Sequence, residues 1–313
     1  MRALVTGGAG FIGSRVVRAL LDAGREVVVL DDLSSGFREN MKGLPAARLI
    51  EADVRDREAV DSACEGAEVV FHLAASVGNK RSIDDPRADA SVNLLGTLNV
   101  LEAARRGGVR KVVLSSSVGV LGEVERLPVT EEHPTRPISP YGVSKLAAEK
   151  MALVYHELHG VEVACLRYFN VYGPGQRSDA YGSVLPIFVF RMLAGESLTV
   201  FDDGEQTRDF VYVDDVARAN LLAAEPGAPS GVFNVASGKA ISLNRLVGLL
   251  REASGLDARV THEAPRPGDV RDSLADTAKA RRELGFEAAV SIEEGIARYF
   301  DWARREAAQA ATR

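Results

Sequence analysis

Two cysteines, Cys64 and Cys165, stand alone in 313 residues. So thin a supply excludes a disulfide framework and points to a reducing compartment. No stretch reaches the roughly 18 consecutive apolar residues that a membrane span requires. The opening Arg2-Ala3-Leu4-Val5 is apolar but short, and it runs at once into glycines, so no secretory leader is expected. Positive charge is also in deficit. The net charge is −6 and the pI about 5.5, with basic residues scattered, which argues against a nucleic-acid face and a polybasic membrane patch. Internal repeats and low-complexity linkers are missing too. The expectation is a soluble, cytoplasmic protein long enough to build two lobes around a cleft.

What is present is an alternation. Short apolar runs at Ala3–Val5, Glu26–Leu30, Ala47–Glu51, Glu68–Leu73, Lys111–Ser115 and Glu162–Arg167 read as strands, with helical patterns such as Ser14–Ala23 and Ala90–Arg106 between them. That order predicts an α/β fold, a Rossmann-type doubly wound parallel sheet covered on both faces. After Arg167 the pattern loosens. Gly173-Pro174-Gly175 breaks the chain, and loops and short elements are expected to about Gly204. Val211–Leu222 and Gly231–Val235 read as a return to the first lobe. Leu243–Ala253 and Ile292–Arg304 read as amphipathic helices of a smaller, interwoven C-terminal substrate domain, with the tail after Trp302 fraying. The expected division is residues 1–167 plus about 208–236 for the dinucleotide lobe, and about 168–207 plus 237–313 for the substrate lobe.

Thr6-Gly7-Gly8-Ala9-Gly10-Phe11-Ile12-Gly13 sits between the first strand and the first helix. Glycines there allow a sharp turn and let backbone N–H groups approach a pyrophosphate at a helix N-terminus. Asp31, with Asp32 behind it, ends the second strand, where a carboxylate accepts ribose hydroxyls. With no Arg or Lys adjacent in the chain, NAD is favoured over NADP. Ser35 and Gly36 follow on the same side. Asp53 and Val54, after strand three, are candidates for the adenine edge, and Leu73, Ala74 and Ala75, after strand four, for the nicotinamide half.

Tyr141 and Lys145 are one helical turn apart and share a face. A tyrosine serves as a base when its phenolate is stabilised, and a lysine ammonium together with an oxidised nicotinamide supplies two positive charges. Ser117, at the end of Ser115-Ser116-Ser117, is placed to hydrogen-bond the reacting hydroxyl. This set predicts oxidation of a secondary alcohol. His156, Glu157 and His159 do not have zinc-protease spacing and read as a solvated helix face, so no metal is expected.

With these motifs in place, the chain resembles the extended short-chain dehydrogenase/reductases, specifically the nucleotide-sugar 4-epimerases. The resemblance runs through Thr6–Gly13, Asp31, Asp53, Val92–Thr97, Ser115–Ser117, Ser139–Lys145, Arg167–Gly173, Asp203–Phe210 and Arg266–Val270. Leu121 departs from the Tyr usual there. The resemblance implies that Tyr141 takes the proton from a sugar 4-hydroxyl while hydride passes to NAD. The 4-keto sugar turns over, and both return to the opposite face. It also implies cofactor contacts from Asn93, Ser115, Lys145 and Tyr168. Substrate contacts follow from Asn170, Ser183, Val184, Leu185, Val200, Phe201, Arg208, Arg266, Asp269 and Ser273, with the two arginines on the diphosphate. The loop Ser76–Ser82 is expected to face the hexose.

Two positions narrow the reaction. Sugar 4,6-dehydratases of this family carry an Asp-Glu pair where this chain has Val118-Gly119, so the elimination lacks its acid and base. Ser273 aligns with the family's size gate, and a small residue there leaves room for a 2-N-acetyl group, predicting use of UDP-GlcNAc/UDP-GalNAc as well as UDP-Glc/UDP-Gal. The alternatives are a UDP-glucuronate 4-epimerase and, behind it, another NDP-sugar dehydratase or reductase of the same family. By the same resemblance, Ala90–Arg106 and Tyr141–His159 are expected to pair with their copies in a homodimer.

Overall fold

A computed structural model describes residues 1–177, 183–265 and 270–311. In chain order the first half runs β1 (Arg2–Thr6), α1 (Phe11–Asp22), β2 (Glu26–Asp31), α2 (Arg38–Met41), β3 (Arg48–Glu51), α3 (Arg57–Cys64), β4 (Val69–His72), α4 (Asn79–Asp84), α5 (Pro86–Ala90), a π-turn (Ser91–Leu95), α6 (Gly96–Gly107), β5 (Lys111–Ser117), α7 (Pro140–His159) and β6 (Glu162–Tyr168). The second half runs β7 (Asn170–Tyr172), α8 (Val184–Leu193), β8 (Leu198–Phe201), β9 (Thr207–Tyr212), α9 (Val213–Ala224), β10 (Gly231–Val235), β11 (Ala240–Ser242), α10 (Leu243–Ser254), β12 (Val260–Glu263), α11 (Ala278–Leu284) and α12 (Ile292–Ala311).

Seven strands form one parallel sheet in the order β10-β6-β5-β4-β1-β2-β3. Strands such as β2 (Glu-Val-Val-Val-Leu-Asp) are buried along nearly their whole length, as a sheet covered on both faces demands. One apolar cluster packs α1, α9 and α11 onto one face, and a second packs α3, α6 and α7 onto the other. The order reverses between β1 and β4, so the carboxyl ends of those strands open a crevice, the position where such sheets bind ligands.

A third apolar cluster joins α8, α10, α12, β8 and β9, with Phe188, Tyr299 and Phe300 at its centre. Its small sheets are β11-β9-β7 and β12-β8. The segment read as loops thus contains a ten-residue helix, α8. Its sequence Val-Leu-Pro-Ile-Phe-Val-Phe-Arg-Met-Leu is apolar all round, so it carries no amphipathic period, and no side chain caps its start. The tail after Trp302, expected as a helix end, is helical to Ala311. Val211–Leu222 divides between the end of β9 and most of α9, while β10 does return to the main sheet.

Candidate active site

The glycine loop is built by close approach. Gly7 has φ +70° and donates its N–H to Leu30 O at 2.8 Å; a Cβ on it would lie 2.6 Å from Ala74 N. A Cβ on Gly13 would lie 2.0 Å from Gly7 O. The loop therefore sits flush against the chain leaving β4, which brings Leu73, Ala74 and Ala75 beside it. Gly10 is the N-cap of α1, with no side-chain cap and no acid in the first turn containing Phe11, Ile12 and Gly13. The free N–H groups and the dipole of this helix end suit an anion.

Asp31 is buried, and its carboxylate accepts N–H groups from Ala9 at 2.8 Å and Leu33 at 2.9 Å. Burial pushes its pKa up and those two donors pull it back. Gly36 is buried beside it, whereas Asp32 is exposed and holds Ser34, and Ser35 is exposed. Asp53 grips Arg55 through two oxygens at 2.9 and 3.0 Å, which lowers its pKa, and Val54 is buried under Gly96. Asp53 thus serves an ion pair, and Arg55 stands near Asp32 in space although not in sequence. A capless helix end behind a glycine cradle, with a buried carboxylate at the next strand end, fits a dinucleotide.

Behind the loop, Thr6 Oγ1 and Thr97 Oγ1 flank His72, at 2.7 Å from Nδ1 and 3.0 Å from Nε2. Burial drives the His72 pKa down to about 3, so the ring stays neutral. Asn93, in the π-turn, is a clamp. Its Oδ1 accepts Ser76 N at 2.8 Å, and its Nδ2 lies 3.0 Å from Ser76 O. The extra residue of a π-turn re-aims side chains; here it interrupts the helix expected to run unbroken from Ala90.

Ser139 caps α7, accepting Gly142 N at 3.1 Å, with Pro140 in the first turn. That start projects Tyr141 and Lys145 toward the carboxyl end of β5. The Tyr141 phenol lies close enough to Ser117 to interact with it, and Lys145 Nζ donates to Ser115 Oγ at 3.4 Å. Burial raises the Tyr141 pKa, opposed by Ser117. Lys145 is buried, which lowers its pKa to about 8, against the raising influence of Cys165, Asp89 and Glu149. A Cβ on Gly119 would stand 3.3 Å from Ser117 Oγ and 3.6 Å from the Tyr141 ring, so this glycine keeps the space beside both clear.

Residues 3–236 match the NAD dependent epimerase/dehydratase family. The chain belongs to that family. It is 41% identical over 311 residues to the UDP-glucose 4-epimerase of Mycolicibacterium smegmatis, covering 98% of this chain and 99% of that one. Its fold is similar to the UDP-glucose 4-epimerase of Thermotoga maritima with UDP-glucose, at TM-score 0.94 and 42% identity, covering 98% of this chain and 100% of that one. It is also similar to a UDP-N-acetylglucosamine 4-epimerase from Methanobrevibacter ruminantium in complex with UDP-N-acetylmuramic acid, at TM-score 0.94 and 36% identity, over 97% and 98% of the two chains. No described helix is long and apolar enough to cross a membrane.

Asn170 Nδ2 donates to Asp209 O at 3.1 Å, and Arg208 to Thr207 O at 2.7 Å. Ser273 is buried, and its hydroxyl finds no hydrogen-bond partner among the described residues. Its segment is anchored by Thr207 Oγ1 to Asp272 at 2.7 Å and by Ala275 N to the buried Asp209 at 3.2 Å. Ser183 is exposed at the start of α8, with Val184 half-buried, and Phe201 ends β8 half-buried. Three side chains sit elsewhere than a binding surface needs. Leu185 and Val200 are wholly within the third apolar cluster, and the Tyr168 phenol is turned into the core, donating to Asn220 at 3.0 Å. Arg266 and Asp269 lie outside the described residues. Of the loop expected to face the hexose, residues from Asn79 onward form α4, and Ser139 Oγ donates to Asn79 Oδ1 at 3.0 Å.

Proposed function

We propose that this chain interconverts the C4 epimers of a UDP-hexose through a transient 4-keto sugar, using bound NAD. The reading rests on one observation: Tyr141, Lys145 and Ser117 converge at the carboxyl end of β5, beside a glycine cradle built for a dinucleotide. NAD supplies the hydride acceptor and, once reduced, the donor. The protein does the rest. Gly7–Gly13 and the start of α1 hold the pyrophosphate, and Asp31 holds the adenosine ribose. Ser117 holds the sugar 4-hydroxyl, and the Tyr141 phenolate takes its proton as hydride leaves C4. Lys145 would keep that phenolate accessible, its ammonium charge and the Ser117 hydroxyl working against the burial that raises the Tyr141 pKa. After the ketone turns over, Tyr141 returns the proton to O4 and hydride returns to the other face of C4.

Arg208 and Arg266 take the diphosphate in this reading, and Phe201 offers the uracil a flat face. The unpartnered Ser273 hydroxyl faces a substrate with a 2-N-acetyl group. The cleared space at Gly119, beside Val118, leaves no acid and base for a 4,6-elimination. The first two apolar clusters form the cofactor lobe and the third the substrate lobe. Leu95, Val143, Val154 and Leu158 are exposed on the π-turn and α7, and form the apolar face on which two copies pair. UDP-GlcNAc carrying deuterium at C4 tests the mechanism. The label should remain at C4 of the epimer, whereas its loss to water would contradict hydride return.

A further inference from the structure

Asp89 lies at the centre of a hydrogen-bond network that the reaction as drawn does not use. It sits in α5, 1% exposed, an unusual place for an acid. Its Oδ2 accepts Ser144 Oγ at 2.5 Å and its Oδ1 accepts Asn93 Nδ2 at 3.1 Å. Asn93 Nδ2 also lies 3.0 Å from Ser144 Oγ, and Ser144 Oγ lies 3.0 Å from Tyr141 O. Through Asn93 the network reaches both the N–H and the C=O of Ser76, in the chain leaving β4. Three elements that frame the pocket are thereby tied to one carboxyl group: the chain after β4, the π-turn, and the first turn of α7.

We propose that Asp89 is a positioning residue that, as a buried carboxylate, locks the first turn of α7 to the π-turn and sets the ionisation of the Tyr141–Lys145 pair. The donors present are compatible with the anion. Asn93 has two amide hydrogens and Ser144 one hydroxyl hydrogen; an acceptor-only carboxylate takes one from each, and Ser76 O takes the other amide hydrogen. The charge is opposed by burial, which raises the Asp89 pKa, and supported by Ser144, Asn93 and the Lys145 ammonium. In return, the Asp89 charge raises the pKa values of both Tyr141 and Lys145. The other groups facing this pair are Glu149 from α7, His72 from β4, and Cys165 and Arg167 from β6. His72 is neutral, the Cys165 thiol is held protonated by burial, and Glu149 and Arg167 neutralise each other. Asp89 is then the nearby anion without a dedicated cation of its own. Removing it makes the pair lose its protons more readily, whichever member titrates first.

The inference rests on the epimerase reading for its catalytic consequence but not for its test. NAD-saturated wild-type protein and Asp89→Asn are each titrated by near-ultraviolet tyrosinate absorbance, with Tyr141→Phe in each background as the blank that isolates Tyr141. The expected result is a fall of the Tyr141 midpoint by roughly half to one pH unit in Asp89→Asn, matched by the acid limb of the kcat/KM profile. An unchanged midpoint in a folded Asp89→Asn protein, whatever its Tm, reduces Asp89 to packing and overturns the proposal. Asp89→Ser, also neutral and smaller, gives the same comparison should the Asn variant fail to fold. If the wild type epimerises no UDP-sugar yet the midpoint shifts, the epimerase reading falls and the role of Asp89 stands.

Discussion

Arg167 and Glu149 meet in the interior, 2% and 0% exposed, with Nη2 2.7 Å from Oε1 and Nε 3.0 Å from Oε2. Ser116 Oγ donates to the same carboxylate at 2.8 Å, and Arg167 Nη1 donates to Glu131 O at 3.0 Å. This fork ties α7 to β5 and β6 one turn beyond Lys145. Glu149→Ala leaves a buried guanidinium uncompensated and should cost about 3–5 kcal/mol in chemical denaturation. The double variant Glu149→Met/Arg167→Met should recover most of that loss, because neither charge then remains buried.

Lys145 makes stability depend on pH in a definite direction. Its folded pKa, about 8, lies below its ordinary 10.5. Between those values the folded chain binds fewer protons than the unfolded one, so unfolding free energy rises with pH. Below about 8 the burial cost is present in full, and above 10.5 it has vanished. Relative to Lys145→Met, wild type should gain up to about 3 kcal/mol across that window. A stability difference that stays flat from pH 7 to 10 would contradict the burial of this ammonium.

Gly13→Ala places a methyl where only 2.0 Å separates the ideal Cβ from Gly7 O. The expected outcome is a loop forced off the chain after β4, with about 1–3 kcal/mol lost in stability and NAD content falling on gel filtration. Retention of full NAD would show that the loop does not need this contact.

Much of this arrangement was legible in the sequence because it is local. The strand–glycine–helix unit, Asp31 and the Tyr141–Lys145 turn each lie within one short segment, and each stands where the motif spacing put it. The parallel sheet followed from the alternation of apolar runs and helices. What escaped depends on distant contacts. Asp84-Asp85-Pro86 reads as a turn and helix start, and nothing local shows that Asp89, further on, will face Ser144, 55 residues away. The helix α8 escaped because burial on all sides erases its period. Leu185, Val200 and Tyr168 were placed by motif position, which does not reveal that their side chains point into the core. The pairing of Asp53 with Arg55 escaped because a place just after strand three marks Asp53 as a candidate for the adenine edge and says nothing of where its carboxylate turns.

Ser273→Tyr tests the size of the sugar pocket. A bulky ring in place of the Ser273 hydroxyl, which has no hydrogen-bond partner among the described residues, should lower kcat/KM for UDP-GlcNAc by at least about 10-fold relative to UDP-glucose. Equal effects on both sugars would mean that the 2-substituent is accommodated elsewhere.

The central claim is that Tyr141 and a resident NAD carry a reversible oxidation at C4. The most direct measurement incubates the purified protein, without added NAD, with UDP-GlcNAc, UDP-glucose and UDP-glucuronate in turn, and separates the C4 isomers. Wild type should give an equilibrium mixture of UDP-GlcNAc and UDP-GalNAc, and Tyr141→Phe should turn over about 10²–10⁴-fold more slowly with its NAD still bound. Absence of any C4 isomer from NAD-loaded wild type, or a Tyr141→Phe variant as active as wild type, would contradict that claim.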